Sequence, residues 1–243
     1  MICKTYSELE KCLGFSVKAL YFVSNAPWKH YHTARIPKND KGDYRELNVP
    51  DEFLKTIQRR ITDRLLNDYP VSPHATAYCS GGSTIVNVKP HIHKNVLLKL
   101  DIHHFFDNIL YTTIKDKVFP AEDYSEPIRV LLTLLCIRKD ALPQGAPSSP
   151  VISNIIMQDF DDTVGGWCDA RSISYTRYCD DMTFSGDFDS REVIDLVRKE
   201  LRNMGLFLND KKTIRVMRIG FALLMAVSLW LRAADAPPLK LGT

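Results

Sequence analysis

The sequence predicts an α+β fold, with strands paired locally as hairpins and helices set between them. Three observations predict it. Two strand pairs are written around short polar turns: IPKNDKGDYRELNVP around Asn39 to Asp43, and SISYTRY with MTFSG around Asp180-Asp181. Two segments carry helical periodicity. One is DEFLKTIQRRITDRLLNDY, with Phe53, Leu54, Ile57, Ile61, Leu65 and Leu66; the other is SREVIDLVRKELRNMG, with Val193, Leu196, Val197 and Leu201. Strands and helices do not alternate regularly, so a doubly wound parallel sheet is not predicted.

The elements follow in order. Pro50-Asp51-Glu52 supplies a helix start for the first periodic segment. Ser80-Gly81-Gly82-Ser83 is a loop. NVLLKLDI is a short apolar run ending in an acid, which reads as a buried strand. EPIRVLLTLLCI is apolar over most of its length and reads as a buried helix. ALPQGAPSSP, with three prolines and a glycine, reads as a loop, and VISNIIMQDFDDTV as the helix after it. The hairpin comes next. The last amphipathic helix stops at Gly205, and GLFLN leads into a strand.

The totals narrow the class. A chain of 243 residues, 45% hydrophobic and 25% charged, has enough apolar residues for one large domain or two subdomains and is not a disordered chain. Six cysteines without a CxxC pair argue against a zinc site or a disulfide framework, and for a reduced, cytoplasmic chain. The paired histidines (His30/His32, His91/His93, His103-His104) lack a cysteine or acid at zinc spacing. MICKTYSELEKC has no apolar signal core. The net charge of +3 hides a pattern. Residues 1–100 carry 15 Lys/Arg against 9 Asp/Glu, residues 101–190 carry 7 against 15, and residues 191–243 carry 10 against 5. An acidic centre between basic flanks suits metal ions at the centre and a polyanion across the whole.

The acidic centre holds Asp180-Asp181 at the hairpin tip. Like charges side by side repel and raise one another's pKa. A divalent cation reverses that logic, and Mg²⁺ takes carboxylates together with substrate phosphates. A solvated turn is the alternative for the pair alone. Asp101 changes the balance: a buried strand ending in a carboxylate needs a partner. Two strands that deliver Asp101 and Asp180-Asp181 to one place would support in-line displacement at phosphorus.

These residues resemble the reverse transcriptase family. Tyr178-Cys179-Asp180-Asp181 is similar to its YxDD motif, and Asp101 with His103-His104-Phe105-Phe106 to its DxxxFF motif. Leu142-Pro143-Gln144-Gly145-Ala146-Pro147-Ser148-Ser149-Pro150 closely matches its LPQG motif. Lys38 with Arg45 and the helix from Leu54 to Gln58 resemble its fingers motif, and Gly205 to Asn209 with Lys212-Thr213 the segment after the hairpin. The resemblance covers roughly residues 30–216. It implies an RNA-directed DNA polymerase of right-hand architecture, with an antiparallel palm sheet flanked by helices. Residues 1–98 would be fingers and N-terminal extension, 99–218 palm with a return to the fingers around 115–150, and the thumb largely missing.

The resemblance also implies roles. Asp101, Asp180 and Asp181 are catalytic and hold two Mg²⁺ ions (Mn²⁺ as a substitute), with the backbone carbonyl of Ile102. Phe106 lies under the sugar and excludes a 2′-hydroxyl. Gln144 contacts the incoming dNTP, in a loop shaped by Pro143 and Gly145. Arg45 and Lys38 hold the triphosphate, with Lys41 competing for the lysine's place, because a guanidinium fork suits phosphate oxygens. Lys212 neutralises or protonates the leaving pyrophosphate. Asn87-Val88-Lys89-Pro90-His91 resembles the NAxxH motif of the retron branch, which makes Asn87 and His91 RNA-binding candidates.

The implied partners are an RNA template and primer (a structured non-coding RNA in the retron setting), the DNA product, dNTPs, and an effector protein in phage defence. No membrane is implied. The retron VTG hallmark is absent, where the chain reads RIGFALLMAVSLWLR, so group II intron and abortive-infection enzymes stay open. A truncated polymerase-like protein that binds RNA without copying it stays open too. The run IGFALLMAVSLWL has thirteen uncharged residues, against about 20 for a membrane span. Residues 219–243 are read as an aberrant apolar tail after a disrupted frame.

Overall fold

The computed structural model describes residues 2–37 and 44–217. Lys38, Lys41 and the apolar tail lie outside the described residues. The helices are α1 (Tyr6–Leu13), α2 (Val17–Ser24), α3 (Glu52–Ile61), α4 (Thr84–Val88), α5 (Tyr111–Val118), α6 (Glu126–Cys136), α7 (Ser149–Asp169) and α8 (Ser190–Asn203). The strands are β1 (Tyr31–Pro37), β2 (Tyr44–Pro50), β3 (Val96–Asp101), β4 (Ser174–Tyr178), β5 (Asp181–Gly186) and β6 (Ile214–Met217). The α+β reading holds. Among the described residues, no helix is long and apolar enough to cross a membrane.

The chain divides into two compact units, each gathered from separate stretches. The first takes residues up to 35, 46–72 and 104–159. Its core is helical: Leu20 and Val23 of α2, Leu54, Ile57 and Ile61 of α3, and Leu131, Leu132 and Leu135 of α6 are all fully buried. Each such side chain contributes about 1.5–3 kcal/mol by leaving water. Asp51 caps α3 by accepting from Leu54 N at 2.8 Å, as Pro50-Asp51-Glu52 predicts. A single π turn, Thr62–Leu66, carries the helix on. Gln58 sits in this core, and its Nε2 donates to Leu135 O and Tyr31 Oη at 2.8 and 2.9 Å. The sequence reading assigned nothing to α1 and α2, which are eight residues each. Local capping defines them: Thr5 and Glu8 form a capping box, and Ser16 caps α2.

The second unit takes 36–45, 73–103 and the chain from 160. It is built on a four-stranded sheet of order β4-β5-β3-β6, antiparallel at every pairing. Every residue of β3 is buried. Alternation gives the sheet two faces. Leu98, Leu100, Met182, Phe184, Tyr175 and Arg177 share one; Lys99, Asp101, Asp181, Thr183, Ser185 and Thr176 share the other. The outer edge of β4 is covered by residues 74–76, with Arg177 N donating to His74 O and Thr76 N to Arg177 O, both at 2.8 Å.

Two local readings are corrected. The segment ALPQGAPSSP is not loop throughout, because α7 begins at Ser149 and includes Pro150. Proline is tolerated in a first helical turn, where its missing N–H has no partner to lose. GLFLN does not form a strand either. Leu208 makes one isolated bridge to Ile102, and the fourth strand is β6, after a 3-10 turn at Asp210–Lys212.

Candidate active site

The site is built by strand register. In the β3–β5 pairing Asp101 lies directly opposite Asp181. Tyr178 pairs with Asp181 across β4 and β5, so Cys179-Asp180 is a two-residue hairpin turn. Cys179 has φ +59°, the sign that the first central residue of a type I′ or II′ hairpin turn needs. One residue beyond Asp101, Ile102 N donates to Asp180 O at 3.1 Å. A backbone ladder therefore brings Asp101, Ile102, Asp180 and Asp181 to one end of the polar face.

Lys212 joins them from 111 residues away, its Nζ donating to Asp101 Oδ2 at 2.7 Å. Sequence reasoning missed two members. Asn209 clasps Asp101 twice: its N donates to Asp101 O at 2.8 Å and its Nδ2 to Asp101 Oδ1 at 2.9 Å. Lys99 is buried on the same face, its Nζ 4.0 Å from Asp181 Oδ1. A signal for it was present. A lysine two residues before Asp101 in an otherwise apolar strand must share its face.

The electrostatics are those of crowded, partly desolvated carboxylates. Burial, then the nearby Asp101 carboxylate, pushes Asp180 above the ordinary range. Burial pushes Asp181 up to about 7, with Lys99 opposing and Asp180 and Asp101 adding to it. Burial pulls the Lys99 ammonium below its usual value, against the three aspartates. Partial burial opposes the Lys212 ammonium, but Asp101 holds it above its usual value. Among the described residues no three His, Cys, Asp or Glu side chains are gathered as a metal cluster. Asp101 is closed instead by Asn209 and Lys212. The donor set still fits a hard divalent ion: all its side-chain ligands are carboxylate oxygens. Burial first, and then the neighbouring carboxylates, raise Asp180 and Asp181, a cost that a cation beside them would offset, and the Lys212 ammonium already lies 2.7 Å from Asp101 Oδ2.

The other candidates are placed as follows. Phe106 and Gln144 belong to the first unit. Phe106 is half-buried, its ring 5.2 Å from that of buried Phe105. The carbonyl of Gln144 accepts from Asn48 N at 2.7 Å, and Ser149 Oγ donates to Pro143 O at 2.7 Å. Gly145 has φ +106°, and a Cβ there would stand 3.2 Å from Asn48 O, so the loop requires glycine. Arg45 lies in β2, half-buried.

Asn87 and His91, expected to face RNA, are placed inside the second unit with 2% and 1% exposure. Asn87 Oδ1 accepts from Thr76 Oγ1 at 2.8 Å and its carbonyl from Thr176 Oγ1 at 3.2 Å. His91 spans two strands, with Nδ1 2.7 Å from Ser185 Oγ and Nε2 2.8 Å from Thr176 Oγ1. Both ring nitrogens are therefore engaged within the protein.

The chain matches the family model described as reverse transcriptase (RNA-dependent DNA polymerase) over residues 36–229. It is 31% identical to the Retron Mx65 reverse transcriptase of Myxococcus xanthus, over 91% of this chain and 57% of that protein. It is 36% identical to the Retron Ec83 reverse transcriptase of Escherichia coli, over 74% and 60%. It is 30% identical to the Retron Ec86 reverse transcriptase of Escherichia coli, over 85% and 65%. The chain thus spans about 57–65% of the length of these curated relatives. This family works with divalent metal ions. With a match over most of its length, and with the paired aspartates delivered by a hairpin opposite Asp101, the chain belongs to the reverse transcriptase family.

Proposed function

We propose that this chain carries the catalytic part of an RNA-directed DNA polymerase, which adds dNTPs to a primer on an RNA template. The setting is a retron, with a structured non-coding RNA as template and primer and a role in phage defence. The observation that carries the reading is the register: Asp101 opposite Asp181, with Asp180 O on Ile102 N. Asp101, Asp180 and Asp181, with the Ile102 carbonyl, would hold two Mg²⁺ ions, with Mn²⁺ as a substitute. When bound, the ions supply charge stabilisation at the phosphoryl group and activation of the attacking hydroxyl.

The remaining roles rest on this chain's own residues. Lys212, already on Asp101, is poised to meet the pyrophosphate. Arg45 and Lys38 hold the triphosphate, Gln144 the nucleotide, and Phe106 the face of its sugar. Asn87 and His91 serve the site by tying residues 76–91 to β4 and β5 rather than by touching RNA. We assign the sheet unit to the palm, with residues 73–98 included, and the helical unit to the fingers.

The test is primer extension on poly(rA)/oligo(dT) with Mg²⁺, beside Asp180→Ala. Synthesis by the parent and none by the variant supports the reading. Tight RNA binding with no synthesis under any metal would replace it with a polymerase-like RNA-binding protein.

A further inference from the structure

We infer that Arg177 and Asp161 are positioning residues of the carboxylate site: from the opposite face of the sheet they fix the peptide that presents Asp180. This inference rests on the polymerase reading and deepens it.

Arg177 is fully buried in β4, on the face away from the aspartates. Asp161, from the second half of α7, is equally buried. The guanidinium meets it in a fork, with Nε 2.8 Å from Oδ1 and Nη2 2.5 Å from Oδ2. Tyr175 Oη donates to Asp161 Oδ1 at 2.8 Å. A buried ion pair is weak evidence of stability gain, because desolvating both charges offsets their attraction. What this pair accomplishes is geometric. With two of its nitrogens held by Asp161, the guanidinium directs Nη1 to the carbonyl of Cys179, two residues on, at 2.9 Å.

That carbonyl belongs to a strained residue. Cys179 has φ +59° without being glycine, a conformation that persists only where the surroundings over-determine it. Its thiol-bearing side chain is buried as well. The next carbonyl, that of Asp180, is held by Ile102 N. The two successive peptides of the turn are thus tied from two directions, one by a side chain and one by β3's continuation. Asp180 and Asp181 emerge from a turn whose orientation is set before any ligand arrives. Asp161 orients Arg177, Arg177 orients the turn, and the turn aims the carboxylates. Lysine cannot replace arginine here, because a single ammonium lacks the planar fork that serves Asp161 and the carbonyl together.

Two variants of the full chain test this. Arg177→Met with Asp161→Leu removes both buried charges while keeping apolar bulk, at the cost of the Tyr175 Oη acceptor; thermal unfolding checks that the fold is retained. Arg177→Lys keeps the charge and loses the fork. Mn²⁺ binding, read by electron paramagnetic resonance, is the measurement that does not depend on turnover. Outer-shell partners of metal ligands typically change affinity or rate by about 10–100-fold. Both variants should bind Mn²⁺ at least about tenfold more weakly than the parent. In primer extension they should lower kcat by about 10–100-fold, with little change in dNTP KM. A folded double variant with the parent's Mn²⁺ affinity overturns the inference, as does full affinity in Arg177→Lys. If the parent fails to extend primers, the polymerase reading falls while the Mn²⁺ titration still decides the positioning role.

Discussion

Replacing His91 by Gln and following stability against pH exposes how the hairpin is pinned. Thr176 has a single hydroxyl proton, and it goes to Asn87 O at 3.2 Å. His91 Nε2 must then donate to Thr176 Oγ1, and Nδ1 accepts from Ser185 Oγ. That pattern is satisfied by the neutral ring. Burial, with Lys94 adding, lowers the pKa of His91 from 6.5 to about 4. Between those values the unfolded chain binds more protons than the folded one, so stability is complete above 6.5 and is lost as pH falls toward 4. At 1.36 kcal/mol for each pH unit, the full loss is about 3 kcal/mol. The assay is urea unfolding of the full chain and of His91→Gln, metal-free, from about pH 7.5 to about 4.5. Near pH 7.5 the parent should be more stable by about 1–2 kcal/mol for the two buried bonds. That advantage should shrink by about 1.4 kcal/mol per pH unit below 6.5 and vanish or reverse by about 4.5. Asp180 and Asp181 titrate in the opposite sense, but they are common to both chains and cancel in the difference. A difference that stays constant across the range would refute the neutral, buried assignment of His91.

Asp101→Asn, Asp180→Asn or Asp181→Asn should each remove DNA synthesis by at least about a hundredfold while leaving RNA affinity largely intact, since basic contacts to phosphate supply most of that affinity; parallel loss in a filter-binding assay would make the carboxylates structural. Phe106→Ala should raise rNTP incorporation relative to dNTP, and an unchanged ratio in an active variant would move the sugar gate elsewhere. Gly165→Ala places a Cβ within 2.2 Å of the His74 ring, which lies 5.3 Å from the Tyr175 ring on β4; thermal unfolding should show a loss of about 1–3 kcal/mol, and an unchanged midpoint would mean that residues 73–76 yield freely.

Much of the site was legible because its signals are local. The alternation of SISYTRY and MTFSG and the acid ending NVLLKLDI each depend on a few neighbouring residues, and they became β4, β5 and β3; the turn falls one residue earlier than predicted, at Cys179-Asp180, because Asp181 pairs with Tyr178 as the first residue of β5. The LPQG loop was legible by its glycine and prolines, though not the point where α7 begins inside it, since Pro150 reads as a breaker unless its place in a first turn is known. The N-terminal helices escaped because eight residues hold only about two turns of periodicity, and what defines them is the local capping by Thr5 with Glu8 and by Ser16.

The sequence by itself determined the candidates for the chemistry: Asp101, Asp180, Asp181 and Lys212 are named by residue type and order along the chain. The tertiary structure alone decided what surrounds them. Asn209 and Lys212 reach Asp101 across 108 and 111 residues, Arg177 finds Asp161 across 16, and His91 finds Ser185 across 94. It also turned Asn87 and His91 inward, where the motif alone suggests a nucleic-acid contact. The physical reason is that hydrogen-bond partners and burial follow from strand register and helix docking, which are properties of the whole packed core. No window of neighbouring residues encodes them.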